Sequence, residues 1–331
     1  MNSYSFSSAL NSVITRYLTL KQALGRNYAN ECNILKHLDR YLTDTKVVDL
    51  TSEVFLKWVE TQNHLTPGVR RNRMRIVRNL CLYRRRTEST CFVPDPNLFP
   101  SPHQPVQPYI FREEEITRLI QATSKLKTVS RSLLRIEVFR LAIVLLYTTG
   151  LRRGELLHLI INDYNFKERS LCIRESKFHK SRLLPLSSDA AREIDSHIQA
   201  RRKHHLPTSP ESSLIWNGYD NGRAYTATGL SRNIQTLFRI ADIHTPDGRL
   251  PRIHDFRHTF AVHALLQWYR AGVDFQAKLP LLSTYMGHVS IDSTQYYLHF
   301  IEELAETASA RFASCYGALV KPLSESNGGV Q

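Results

Sequence analysis

The 331-residue sequence lacks any cysteine pair at metal or disulfide spacing. Its five cysteines, Cys32, Cys81, Cys91, Cys172 and Cys315, are odd in number and scattered, with no CxxC and no histidine at a zinc-finger interval. Reduced thiols in a cytoplasmic protein are the expectation. Long apolar runs are also missing: the longest, Leu141 to Tyr147, is far short of the roughly 20 residues that cross a bilayer, so no membrane partner is expected. The opening Met1-Asn2-Ser3-Tyr4 has no basic n-region followed by an apolar stretch, which argues against a secretory signal. There is no Walker-type glycine loop and no acidic metal cluster, so no cofactor and no metal are expected.

Negative charge is scarce. Forty-four Lys and Arg stand against thirty Asp and Glu, a formal charge of +14. Such a balance favours a polyanionic partner, because cations that neutralise phosphates release counterions, although a merely soluble basic protein would carry it equally well. The scarcity is sharpest after Pro67-Gly68, where no acid occurs before Glu88. Arg70, Arg71, Arg73, Arg75, Arg78, Arg84, Arg85 and Arg86 alternate there with Met74, Ile76, Val77, Leu80 and Leu82. That pattern suits a helix with one apolar and one cationic face, and Arg70, Arg71, Arg73, Arg75 and Arg78 are candidates for phosphate contact along a duplex. A solvated surface helix would look the same.

Length and punctuation predict two domains. Residues 1–93 read as several short helices with no clear strand. Six prolines between Pro94 and Pro108 mark an extended linker over 94–107. Residues 108–321 then form a second domain, opening with a helix over Glu113 to Ala122 and an apolar core helix over Leu133 to Thr149. Two β-prone runs, Leu171 to Arg174 and Arg182 to Leu186, flank a loop rich in Lys and His. Helices are expected again at Asp189 to Arg202, Gly229 to Ala241, His254 to Tyr269 and Glu302 to Tyr316, with a disordered tail over 322–331. The fold class is therefore mainly α with a small β-hairpin or sheet.

Five clusters in the second domain carry chemistry. In Thr149-Gly150-Leu151-Arg152, Gly150 can end the apolar helix and leave Arg152 at a corner, with Glu155 close enough to orient a guanidinium suited to phosphate. Ser176-Lys177-Phe178-His179-Lys180-Ser181-Arg182 lies at the hairpin tip, where a lysine could enter a DNA groove and protonate a leaving alkoxide; Lys177 and Lys180 are both candidates. His254 and Arg257 are three apart on one helix face and can meet one phosphate. Gly287-His288 allows either a close backbone approach to DNA or a plain helix cap. The last cluster, Thr294-Gln295-Tyr296-Tyr297, offers a tyrosine hydroxyl that needs cations or a base to attack at neutral pH. Taken singly, each cluster is equally at home as an ion pair, a charged turn or a packing residue.

In this order and at these intervals the five clusters resemble the tyrosine recombinase (phage integrase) family over about residues 108–316. The helical first half resembles that family's core-binding, SAM-like domain. The long interval from Arg257 to Gly287 resembles integrases of multi-recombinase transposable elements. The resemblance implies a catalytic set in which Arg152 and Arg257 clamp the scissile phosphate of double-stranded DNA. His254 and His288 would bond it or assist proton transfer, Lys177 would act as general acid, and Tyr297 would attack to give a 3′-phosphotyrosine. Alignment on Thr294 and Leu298-His299 favours Tyr297 over Tyr296. Lys180 would contact DNA. The resemblance further implies integration, excision or transposition of a mobile element, and a homotetramer or mixed recombinase tetramer on paired sites in the cytoplasm, at the nucleoid. The apolar segment after Tyr297 could dock on a neighbouring protomer or pack within its own domain. A non-cleaving DNA-end-binding protein and a type IB-like topoisomerase are the alternatives.

Overall fold

A computed structural model describes residues 5–26, 28–101, 107–128, 132–176, 180–218, 222–288 and 290–300. The chain divides into two compact units at residues 106/107. The first contains α1 (Asn11–Ala23), α2 (Ala29–Asp44), α3 (Ser52–Glu60) and α4 (Pro67–Arg84). Thr51 starts α3 by accepting from the Val54 amide, and Pro67 opens α4 at a position where no amide hydrogen is needed. Phe55 and Trp58 are the residues α3 buries, while Leu56 faces solvent. On α4 the buried stripe is Met74, Ile76, Val77, Leu80 and Cys81. The stretch from residue 94, expected to be extended linker, instead folds onto this unit as far as Pro100. Pro96–Leu98 makes a 3-10 turn, Phe99 is buried in the first core, and the Pro100 carbonyl accepts from Arg71 at 2.6 Å.

The second unit is mainly helical with one small sheet, as the sequence predicts. In chain order it comprises α5 (Glu113–Ala122), α6 (Arg135–Thr149), α7 (Arg153–His158), β1 (Tyr164–Asn165), β2 (Ser170–Ser176), β3 (Lys180–Pro185) and α8 (Ser188–Lys203). Then follow α9 (Ala227–Ile240), α10 (Ile253–Arg270), α11 (Phe275–Met286), α12 (Asp292–Gln295) and a 3-10 turn over Tyr296–Phe300. Helix α6 is apolar on nearly every side and buries Val138, Phe139, Leu141, Ala142, Ile143, Leu145 and Leu146, so it runs through the core. Phe111 stacks on Phe238 and Phe256, at centroid distances of 5.6 and 4.7 Å, tying α9 and α10 together.

Helices α5, α7 and α10 begin alike. An arginine precedes each, and an acid three residues later accepts from that arginine's own amide: Glu115 from Arg112, Glu155 from Arg152, Asp255 from Arg252, at 2.7–2.9 Å. The carboxylate thus satisfies a helix-end donor and steadies the guanidinium beside it.

Strands β1, β2 and β3 form an antiparallel sheet in that order; β1 has no counterpart among the sequence-based expectations. In the β2–β3 pair Leu171 faces Leu184 and Ile173 faces Arg182. With a side-chain period of two, Arg182 and Leu184 point to the same, inner face, whereas Leu183 is exposed. Lys177 at the hairpin tip lies outside the described residues, as do the expected helix at Glu302 to Tyr316 and the tail at 322–331. No helix among the described residues is long and apolar enough to cross a membrane.

Candidate active site

Helix α6 ends at Gly150, whose φ of +61° is left-handed; a Cβ there would meet the Phe260 ring at 2.6 Å. The corner this makes delivers Arg152 to the start of α7. Across the site, α11 ends at Gly287 with φ +67°. A glycine is required there for a specific reason: a Cβ would come within 2.9 Å of the Arg182 guanidinium. Gly287 is therefore a helix cap, one of the two alternatives its sequence allowed.

The end of α11 organises the cations. The last carbonyls of a helix have no partner within it and carry the negative end of its dipole. Here three consecutive carbonyls each receive a different guanidinium. Tyr285 O accepts from Arg182 Nε, Met286 O from Arg257 Nη2 and Gly287 O from Arg152 Nη2, each at 2.7 Å. Arg257, 1% exposed, also donates to Gly150 O at 2.7 Å and so bridges the ends of α6 and α11. Arg152 Nη1 donates to Glu155 Oε1 at 2.6 Å, and Arg182 spans both Glu155 oxygens at 3.1 and 2.9 Å. Arg152 and Arg182 share the carboxylate of Glu155, while Arg257 bonds only carbonyls, so three guanidiniums face one carboxylate and leave a surplus of two positive charges in a partly dry site. Burial raises the Glu155 pKa, but the bonds from Arg182 and the Arg152 amide outweigh it and bring it to about 2. Burial, then the charge of Arg152, lower that of Arg257 to about 10, so it stays protonated at neutral pH.

Tyr297 and the histidines close the cluster. His288 Nδ1 lies 2.8 Å from the hydroxyl of Thr294, which is wholly buried on α12 three residues before Tyr297. The His288 and Tyr297 rings stack at 6.1 Å, and His258 stands 5.5 Å from Tyr297 and 4.8 Å from His254. Tyr297 is 3% exposed, against 37% for Tyr296, which separates two tyrosines that are adjacent in sequence. Burial raises the Tyr297 pKa while the guanidiniums of Arg257 and Arg152 pull it back. Burial and then nearby cations lower His288 to about 4; burial and the His254 ring do the same to His258. Desolvation and then the charge of Arg257 lower His254. The imidazoles of His258 and His288 are therefore neutral at pH 7. Beside them a groove of about 520 Å³ is lined by Arg152, Arg153, Ser231, Gln235, Arg252 and His254.

The structure thus brings together Arg152, His254, Arg257, His288 and Tyr297. Lys177 lies outside the described residues; Lys180 begins β3, paired with Ser176. Arg70, Arg71, Arg73 and Arg75 lie on α4 of the first unit and donate to neutral oxygens of Asn63, Pro100, Gln62 and Asn72; Arg78 lies on the same helix. Sequence reasoning missed the part Arg182 plays in this network. The available signal was the alternation of β3, which puts position 182 on the same face as Leu184.

The family model described as the phage integrase family matches residues 110–303. A Sinorhizobium fredii protein named as an integrase/recombinase, y4rB, is 30% identical over 92% of this chain and 97% of its own length. The tyrosine recombinase XerA of Pyrococcus furiosus is 29% identical over 57% of each chain. The structure of the Tn1549 transposon integrase, solved with transposon right-end DNA, superposes with a TM-score of 0.60 at 18% identity. It covers 91% of this chain and 99% of that one.

Proposed function

Because this chain belongs to the phage integrase family, we propose that it is a site-specific DNA recombinase that cuts one strand with Tyr297 and holds the end as a 3′-phosphotyrosine. The observation that carries this is the pairing of a buried tyrosine with two guanidiniums, Arg152 and Arg257, whose positions are fixed by helix-end carbonyls before any substrate arrives. Donors preset in this way cost no reorganisation as charge develops.

In the cleavage step the Tyr297 oxygen bonds to phosphorus and the bond from phosphorus to the 5′-oxygen breaks. The tyrosine proton passes to a neutral imidazole, for which His254 and His288 are the candidates, and the 5′-oxygen takes a proton from Lys177. A phosphodiester carries one negative charge and its pentacoordinate transition state two. The surplus of two positive charges around Arg152, Arg182 and Arg257 matches the latter. In rejoining, a 5′-hydroxyl from a partner duplex attacks the phosphotyrosine and frees Tyr297. One phosphate ester replaces another in each step, so the energy of the bond is retained.

Arg70, Arg71, Arg73, Arg75 and Arg78 would hold flanking phosphates, and Lys180 would contact DNA near the hairpin. Movement of a mobile element, a tetramer on paired sites and a cytoplasmic, nucleoid setting complete the reading, with the first unit, extended through Pro100, as the core-binding domain and 108–321 as the catalytic domain.

A nicked duplex that loses its short 5′ fragment on cleavage traps the covalent intermediate. The wild-type chain is expected to form an adduct, Tyr297→Phe none, and Tyr296→Phe nearly the wild-type amount. An adduct that persists in Tyr297→Phe and vanishes in Tyr296→Phe would transfer the role to Tyr296. No adduct from wild type would favour an end-binding protein, and relaxation of any supercoiled plasmid without site preference a topoisomerase.

A further inference from the structure

Arg182 touches no atom of the proposed reaction, yet its side chain is 9% exposed and its donors join three elements. It reaches from β3 to the Tyr285 carbonyl at the end of α11 and to both oxygens of Glu155 at the start of α7. A carboxylate has about four lone-pair sites, and Glu155 uses them evenly. Oε1 accepts from Arg152 Nη1 and Arg182 Nη1, Oε2 from the Arg152 amide and Arg182 Nη2. Arg152 is thereby limited to one guanidinium bond with Glu155 and one with Gly287 O, and its other N–H groups remain for a ligand.

We propose that Arg182 is a positioning residue for strand cleavage: by occupying half of Glu155 it prevents that carboxylate from drawing Arg152 into a two-pronged pair and away from the scissile phosphate. This rests on the recombinase reading above. Two physical points support it. Planar guanidinium and carboxylate groups frequently pair bidentately, so removing Arg182 opens the competing geometry. Glu155 is also almost wholly buried, so an unshared charge on it would act on Arg152 with little screening. The inner-facing register of β3 and the absence of a Cβ at Gly287 are what allow Arg182 to lie there.

The role has a sign that a merely structural contact would not have. If Arg182 only held the fold together, adding Glu155→Gln to Arg182→Met would deepen the damage, since another set of bonds is lost. If Arg182 restrains Glu155, the same second change relieves the damage, because the neutral amide no longer competes for Arg152. Single-turnover adduct formation on the nicked duplex, DNA affinity and melting temperature would be measured on the full chain for wild type and for R182M, E155Q and R182M/E155Q. The expected result is an adduct rate about 10²-fold lower in R182M, DNA affinity within about threefold of wild type, and recovery of about tenfold in the double variant. Cleavage by R182M at the wild-type rate, or a double variant slower than R182M, would overturn the inference. Should R182M fail to fold, Arg182→Lys keeps a charge but cannot span both oxygens and the Tyr285 carbonyl, and relief by E155Q is expected there too; its absence would count equally against the proposal. A wild-type chain that forms no adduct at all would instead sink the recombinase reading on which this rests.

Discussion

On α4 of the first unit, Arg70, Arg71, Arg73 and Arg75 each place a guanidinium nitrogen on a neutral oxygen, and only Arg84 among the described bonds of that helix meets carboxylates, those of Asp49 and Glu88. In the second unit Arg152 and Arg182 are locked between Glu155 and carbonyls at the end of α11, and Arg257 between the carbonyls of Gly150 and Met286. The residue type is the same and the consequence differs. Arginines on a partly solvated face keep their charge and their reach, which gives affinity for any phosphate backbone. Arginines fixed at a helix end lose that freedom and gain a defined position, which is what stabilising one particular phosphate requires.

The comparison can be tested where the effect is largest. Arg257→Lys keeps the charge but cannot serve the Gly150 and Met286 carbonyls together, so cleavage of bound DNA should fall about 10²- to 10³-fold while affinity changes little. Single-turnover rates at saturating DNA would show it, and a rate within a few-fold of wild type would mean that charge alone suffices. On α4 the expected effect is smaller and of the other kind. Replacing Arg75 and Arg78 by Gln should weaken DNA binding roughly tenfold and lower the slope of log affinity against log salt by about 2, with the rate at saturation intact. A fall in the saturated rate would erase the distinction between the two sets.

The smallest effect concerns pH. His258 and His288 are held near 4 in the folded chain, against about 6.5 when unfolded. Because the folded values are depressed, the stability they contribute is present above pH 6.5 and is lost as pH falls toward 4. Between pH 7.5 and 5 the loss should be on the order of 1 kcal/mol after screening, about 2–4 °C in melting temperature. His288→Gln should flatten that slope; an unchanged slope would place the titration elsewhere.

Much of this site is legible in the chain. Gly150 before Arg152 and Gly287 before His288 are local signals that end α6 and α11, and His254 and Arg257 lie three apart on α10. Tyr297 is only half legible, because two neighbouring tyrosines differ in nothing until packing buries one and leaves the other 37% exposed. Arg182 is hidden for another reason. At the edge of a charged turn it looks solvated, and only the register opposite Ile173 turns it inward. The proline-rich stretch misleads in the opposite sense: Phe99 buries itself in the first core, and an apolar ring outweighs the extended habit of the prolines around it.

What the sequence determined alone was the inventory and its order: a cation-rich chain with helix-ending glycines, arginines at helix starts with an acid three residues on, and a tyrosine near the end of the set. Those are properties of neighbours within a turn or two, where backbone sterics and capping decide. What only the tertiary structure decided was which groups meet. Arg257 finds Gly150 across 107 residues and Arg152 finds Gly287 across 135. No local rule pairs them. They meet because packing brings the ends of α6 and α11 together, and a helix end closed off from water must have its carbonyls satisfied by whatever donors the fold delivers there.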